Sequence, residues 1–141
     1  MSELTVERSR RSIEAFNAHD VEGFLALCDP GIEIQSVFAA VGGAVYQGHE
    51  GVRRWFRELR EAWGEEIRLE EEKLFDLGEH TLAFQVIHGR GRQSGASVTL
   101  PSAAVAKWRD GLGVSLKVYV RREDALTDLG VKEDELEPVK Q

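Results

Sequence analysis

Alternating side chains along residues 81–108 predict two long strands joined by a turn. Apolar groups occupy both phases of the first strand, which is typical of a sheet covered on both faces. Residues 93–96 are predicted to form the turn, because Gly95 can adopt a positive φ. Pro101 cannot donate a hydrogen bond and marks an edge, a bulge or a bend. The stretch therefore predicts a long, bent hairpin.

The clearest helical pattern covers residues 52–63, where apolar side chains recur at helical spacing and Gly64 follows as a terminator. Residues 4–18 and 21–28 predict two earlier helices, with Asp20 as the N-cap of the second. We expect residues 29–31, Asp-Pro-Gly, to break that second helix.

Three further strands are predicted at residues 32–38, 65–75 and 114–120, and the second of these carries a phase slip that indicates a bulge near Glu71-Glu72. Residues 39–45 form a small-residue loop, either mobile beside a cavity mouth or an ordinary connection. A short helix at residues 122–129 follows. We therefore expect one domain at residues 1–130 and a frayed, charged C-terminal tail at residues 131–141.

This order, helices first and a four-stranded antiparallel run afterwards, indicates an α+β fold. A strongly bent, mainly antiparallel sheet packed on three N-terminal-half helices makes a cone. Its open end leaves an internal pocket between the helices and the concave face.

The amino-acid composition argues against some classes of binding partner for this protein. The formal net charge of −7 argues against a nucleic-acid surface and against an anionic membrane. No apolar run approaches the roughly 20 residues that cross a bilayer, and the N-terminus does not resemble a secretory signal. Cys28 is the only cysteine, so no internal disulfide forms, and we expect a cytoplasmic protein.

Several chemistries lack their motifs. The four histidines show no i,i+2 or i,i+4 pairing and there is no second cysteine, so neither a metal site nor a cofactor is expected. The glycine-containing segment at residues 91–95 joins strand to strand and is therefore no nucleophile elbow.

Four motifs, in order and spacing, resemble a SnoaL-like protein of the nuclear-transport-factor-2-like (NTF2-like, ketosteroid isomerase-like) superfamily. The resemblance covers roughly residues 4–130 and rests on FNAHD with FLAL at 16–27, YQGHEG at 46–51, GRGRQSG at 89–95, and WRDG at 108–111 with REDAL at 122–126.

The resemblance implies a cone-shaped fold, a homodimer packed through the sheet, and a pocket for a small apolar or polycyclic ligand. Members include isomerases, polyketide cyclases, epoxide hydrolases and dehydratases, and many have no known activity, so the fold alone does not fix the function. The isomerase mechanism uses a tyrosine, a carboxylate base and a protonated aspartate. Aligned on the motifs, those positions fall at about Ser12, at about Ser36, and at Ala103 or Ala104, and none carries the required group.

Two residues remain as candidates for catalysis. His88 has a side chain suited to proton transfer near neutral pH, and its alternative role is packing in the sheet or at a dimer interface. Tyr46 either donates a hydrogen bond into the pocket or packs as an amphipathic side chain. The candidate ligand-binding residues are Gln35 (or else Ser36, depending on the strand face), Phe38, Trp55, Phe56, Arg90 and Tyr119.

The leading hypothesis is a small-molecule pocket protein whose activity, if any, is a cofactor-free acid/base reaction on a hydrophobic ligand. The alternatives are a non-catalytic binding module and a dimeric protein-interaction domain. A titratable group in the cavity favours the enzyme, and a cavity without one favours the binding module.

Overall fold

A computed structural model describes residues 2–36, 44–90 and 95–140. The elements are α1 (Ser2–Asn17), α2 (Val21–Leu25), β1 (Cys28–Ser36), β2 (Ala44–Gln47), α3 (Gly48–Trp63), β3 (Arg68–Asp76), β4 (His80–Arg90), β5 (Ser97–Arg109), β6 (Leu112–Tyr119), α4 (Arg122–Leu129) and a 3-10 turn (Glu133–Glu135). The predicted α+β class is confirmed.

The strands form one six-stranded sheet in the order β2-β1-β6-β5-β4-β3. Neighbouring strands are antiparallel except β1 and β6, which run parallel. The sheet is curved and unclosed, as in the cone fold that the sequence predicts. None of the helices within the described ranges is long and apolar enough to cross a membrane.

The predicted hairpin is present as β4 and β5, paired from His80 opposite Lys107 to Arg90 opposite Ser97. Gly95 has a φ of +67°, the conformation expected of it. The rest of the predicted turn, residues 91–94, lies outside the described residues. The bulge predicted in the charged strand is also confirmed, since the β3–β4 register shifts between Glu71 and Lys73.

Two predictions around α2 are wrong. The helix ends at Leu25 rather than residue 28, and Pro30 and Gly31 lie within β1 rather than in a helix-breaking turn. The physical reason is long-range strand pairing. Cys28 pairs with Gly113 of β6, so the strand β1 begins at Cys28 and includes Pro30 and Gly31. The short strand β2 falls on residues assigned to the small-residue loop and to the segment that opens α3.

Side chains on the two faces of the sheet enter separate cores. The inner face, defined by Thr81, Ala83, Gln85 and Ile87, is covered by α1, α2 and α3. The outer face carries the second core cluster, which consists of Phe75, Leu82, Phe84, Ala103, Val105 and Ala125. Helix α4 covers that cluster, so the pattern of apolar groups in both phases of β4 is explained.

The C-terminal segment returns to the edge of the sheet. Leu136 packs on the outer cluster, and the backbone N–H of Val139 donates to the carbonyl of Leu74 at 2.6 Å. This hydrogen bond uses the carbonyl of Leu74 on the unpaired edge of β3. Unpaired backbone groups on an edge strand are otherwise available for pairing with a strand of another chain.

Candidate functional site

A cavity of about 60 Å³ lies between the three N-terminal-half helices and the inner face of the sheet. Residues from every layer line it: Ser9, Ser12, Ile13, Phe16, Phe24, Ser36, Trp55, Leu59, Ile67, Leu69, Thr81, Ala83, Gln85, Ile87, Ala104, Ala106, Leu116 and Val118.

Strand alternation and small side chains create the space. Ala83 faces Ala104 and Thr81 faces Ala106 across the β4–β5 pair, so the sheet wall is built from short side chains at its centre. On the helix side, the ring of Trp55 packs beside those of Phe16, Phe24 and Phe56, with centroids 5.7 to 5.9 Å apart. A rigid aromatic wall therefore faces an alanine-rich wall.

Two hydroxyl groups of the lining are already engaged in hydrogen bonds. The hydroxyl of Thr81 accepts a hydrogen bond from the indole of Trp108 at 3.0 Å, and the hydroxyl of Ser12 donates to the carbonyl of Ser9 at 2.6 Å. In contrast, the indole N–H of Trp55 is buried with no hydrogen-bond partner among the described residues. A residue of the cavity wall thus carries a buried donor without a partner among the described residues.

No lining residue in the described ranges has an ionisable side chain. The lining is apolar apart from hydroxyl groups, the amide of Gln85 and the indole of Trp55. An uncharged ligand suits such a wall, because an unpaired buried charge is strongly unfavourable.

Tyr46 lies in the core and not in the lining. Its hydroxyl donates to Glu58 Oε1 at 2.6 Å, and burial together with this contact raises the pKa of Tyr46 to about 12. The hydroxyl therefore stays protonated at neutral pH and is engaged by α3.

His88 lies on the outer face of the sheet, since it alternates with the inward-facing Gln85 and Ile87 along β4. Its Nε2 is 2.8 Å from Glu70 Oε1 on the neighbouring strand. The structure brings His88 together with Glu70 and does not bring it into the cavity lining.

The predicted ligand-binding residues are dispersed. Trp55 lines the cavity and Phe56 packs behind it in the core. Gln35 donates to Glu33 on the outer face, whereas the alternative, Ser36, lines the cavity.

The other three candidates lie elsewhere. Arg90 is exposed, and the hydroxyl of Tyr119 donates to Asp128 at 2.8 Å. Burial, with this hydrogen bond, raises the pKa of Tyr119 above its usual value. Phe38 lies outside the described residues.

Three positions that correspond to the isomerase catalytic groups do meet in the lining. Ser12, Ser36 and Ala104 all face the cavity, whereas Ala103 belongs to the outer cluster. The positions at which the resemblance implies the isomerase groups thus carry two hydroxyl groups and a methyl group.

Gln85 was not among the predicted site residues, although it is buried and lines the cavity. The sequence feature that indicates a role for Gln85 is its position as the single amide side chain within the apolar run 82–87. A polar side chain in a strand covered on both faces needs a partner or a ligand.

One carboxylate approaches the cavity from the side. Glu71 pairs with Gln85 across β3 and β4, its Oε1 is buried without a partner in the described chain, and its Oε2 is 3.6 Å from Nε of Arg10. Ile13 lines both the cavity and the surface groove that Glu71 shares with Arg10 and Glu14.

No group of three histidine, cysteine, aspartate or glutamate side chains in the described segments has a geometry that could hold a metal ion. The thiol of Cys28 is buried, and burial raises its pKa to about 12. Its Sγ lies 3.3 Å from the carbonyl of Phe24, a local contact within the core.

Solved structures of low sequence identity share the fold. An NTF2-like protein of unknown function from Burkholderia pseudomallei superposes with a TM-score of 0.75 at 22% identity, covering 88% of this chain and 95% of that one. A protein of ketosteroid isomerase-like fold from Catenulispora acidiphila, in complex with trimethylamine, gives 0.72 at 17% identity, covering 91% and 95%. A Mycobacterium tuberculosis protein in complex with estradiol-17beta-hemisuccinate gives 0.70 at 20% identity, covering 85% and 95%.

No curated protein matches this chain. The solved structures confirm the NTF2-like fold that the four motifs predict. A sequence profile described as SnoaL-like domain matches residues 9–116, well over half of the chain, and the protein therefore belongs to the SnoaL-like domain family.

Proposed function

We propose that this protein binds a small, uncharged organic molecule in the cavity between the helices and the inner face of the sheet. The observation that carries the proposal is the lining itself: an aromatic wall and an alanine-rich wall, with the uncommitted indole N–H of Trp55 between apolar groups. Structures of the same fold in complex with trimethylamine and with estradiol-17beta-hemisuccinate support the binding of a small molecule.

The volume of the cavity limits the size of the ligand. A cavity of about 60 Å³ accommodates about four or five water-sized groups. Because bonded atoms lie closer together than separate water molecules do, a monocyclic molecule such as cyclohexanone fits this scale, whereas a polycyclic ligand requires the helices to move away from the sheet.

Binding of cyclohexanone, measured by isothermal titration calorimetry, tests the proposal. Ala104→Leu adds three carbon atoms to the lining and is expected to weaken binding at least tenfold, because it occupies the ligand's volume. Ala18→Leu, at an exposed position after α1, is the matched control and is expected to bind as the wild type does. Binding unaffected by Ala104→Leu, or no wild-type binding up to about 10 mM, contradicts the proposal.

Glu71 favours a second candidate, a cofactor-independent acid/base reaction on the bound molecule. Its buried, unpartnered Oε1 lies one strand away from the cavity-lining Gln85, and a carboxylate in that setting can serve as a general base. The base would take a proton from the carbon beside a carbonyl group, the resulting carboxyl group would exchange that proton with the solvent, and the enolate would then regain a proton from the same carboxyl group.

Exchange of those hydrogen atoms for deuterium, followed by NMR for cyclohexanone in D₂O, measures this step. Catalysed exchange is expected to be lost in Glu71→Gln and retained in Glu70→Gln, whose carboxylate lies on the outer face. His88→Ala distinguishes the role predicted for His88 from that of Glu71. Exchange at the rate of buffer alone removes the catalytic candidate and leaves the binding proposal intact.

The remaining expectations concern assembly and location. A second copy of the chain is proposed to cover the outer face near Gln35, because Val45, directly opposite it on β2, is 52% exposed. The cytoplasmic location drawn from the single cysteine remains a prediction.

A further inference from the structure

The indole N–H of Trp55 is an unusual group for a protein interior. The side chain is only 4% exposed, and its Nε1 finds no hydrogen-bond acceptor in the described part of the chain. Buried polar groups are nearly always paired, because an unmade hydrogen bond in the interior costs stability. Such a donor, on a residue that lines a cavity, points to a partner supplied from outside the chain.

The ring cannot turn away to find another acceptor. It is held among the rings of Phe16, Phe24 and Phe56, which lie against it at 5.7 to 5.9 Å between centroids. The direction of the N–H is therefore fixed by packing rather than by a hydrogen bond.

Trp108 provides an internal comparison. It is buried to a similar degree, and its indole N–H donates to Thr81 Oγ1 at 3.0 Å. The indole N–H of Trp108 therefore has a hydroxyl group of the protein as its partner, whereas the described residues offer none to Trp55.

A second polar group faces the same cavity. Gln85 is 5% exposed, and among the described residues no hydrogen bond to its side-chain amide is found, although its backbone carbonyl accepts one from Arg122. The amide can donate or accept, whereas an indole N–H can only donate.

We propose that the ligand is an uncharged molecule carrying a carbonyl oxygen, and that the indole N–H of Trp55 donates a hydrogen bond to that oxygen. This inference rests on the proposed binding function and defines the class of ligand. The apolar lining receives the hydrocarbon part, and the amide of Gln85 offers a second polar contact. Among the described residues, the lining has no charged side chain that could pair with a carboxylate. A neutral acceptor is therefore favoured over a carboxylate.

Cyclohexanone and methylenecyclohexane test the inference, because they have nearly the same shape and differ in whether an oxygen or a CH₂ group meets the donor. The affinity for the ketone relative to that for the hydrocarbon is expected to be about five- to tenfold higher in the wild type than in Trp55→Phe, the factor that one hydrogen bond to a buried donor provides. Trp55→Phe is expected to keep the wild-type affinity for the hydrocarbon. Trp63→Phe, at the end of α3 and outside the cavity lining, is the matched control and is expected to keep the wild-type ratio.

The outcomes separate the inference from the function on which it rests. The same ketone-to-hydrocarbon affinity ratio in the wild type and in Trp55→Phe overturns the inference and leaves the binding function standing. Binding of neither compound overturns both.

An NMR measurement needs no variant. In the ¹⁵N-labelled wild type, the Trp55 indole N–H resonance is expected to move downfield with cyclohexanone and to stay nearly in place with methylenecyclohexane. The same response to both compounds shows that the N–H does not contact the oxygen.

Discussion

The side-chain amide of Asn17 makes two hydrogen bonds with the backbone of a single residue, Leu69: its Nδ2 donates to the carbonyl at 2.9 Å, and its Oδ1 accepts from the N–H at 2.8 Å. The amide therefore takes the place of a neighbouring strand on the free edge of β3. It also ties the end of α1 to a residue that lines the cavity.

Asn17→Ala is expected to lower the free energy of unfolding by about 1–3 kcal/mol, because it leaves a partly buried backbone N–H and carbonyl unpaired. Urea denaturation measures the change. Asn17→Asp keeps the acceptor and loses the donor, so an intermediate loss is expected. Stability equal to the wild type in Asn17→Ala would mean that water replaces the amide without cost.

Stability is expected to fall in alkaline solution because of Tyr46. Its pKa is raised by burial, and by Glu58, from 10.0 when unfolded to about 12 when folded. The contribution is complete below pH 10 and is lost as the pH rises towards 12, since the unfolded chain gives up its proton first.

Tyr46→Phe removes that part of the pH dependence. The difference in urea midpoint between the wild type and this variant is expected to be constant below pH 10 and to change above it. Because Cys28 and Tyr119 titrate in both proteins, their effects cancel in the difference. A constant difference up to pH 12 contradicts the assignment.

A dimer is expected in solution, with the outer face of the sheet near Gln35 and Val45 as its contact. Light scattering at micromolar concentration is expected to give twice the monomer mass for the wild type. Val45→Glu is expected to give the monomer mass, because it places a charge in the apolar contact. Leu4→Glu changes another exposed apolar residue, on α1, and is expected to remain dimeric. A monomeric wild type refutes the prediction.

Local patterns were sufficient for most elements. Residues 52–63 fall within α3, the hairpin pairs as the alternation indicates, and the extra residue in β3 was visible as a change of phase between Leu69 and Leu74. Each of these depends on neighbours within one element, which periodicity reports directly.

The boundary between α2 and β1 depends on distant contacts instead. Pro30 and Gly31 favour an interruption of regular secondary structure. The segment nevertheless becomes part of β1, because β1 pairs with β6, which lies far away in the sequence. No local pattern contains that information.

The sequence of β4 alone likewise does not show which of its faces packs against the helices. Alternation places Gln85 and His88 on opposite faces, but only the helices that cover one face decide which side holds the cavity. The packing of α1 to α3 selects the face of Gln85, and this is why a glutamine rather than the histidine lines the site.

The central position of β6 has a consequence for biosynthesis. This strand joins β1 to β5 in the middle of the sheet, although it is the last of the described strands to be synthesised. Without residues 112–119 the remaining strands fall into two sets that do not pair with each other, β1 with β2 and β3 to β5. Leu116 and Val118 of β6 complete the cavity wall, so the cavity forms only after β6 has been synthesised.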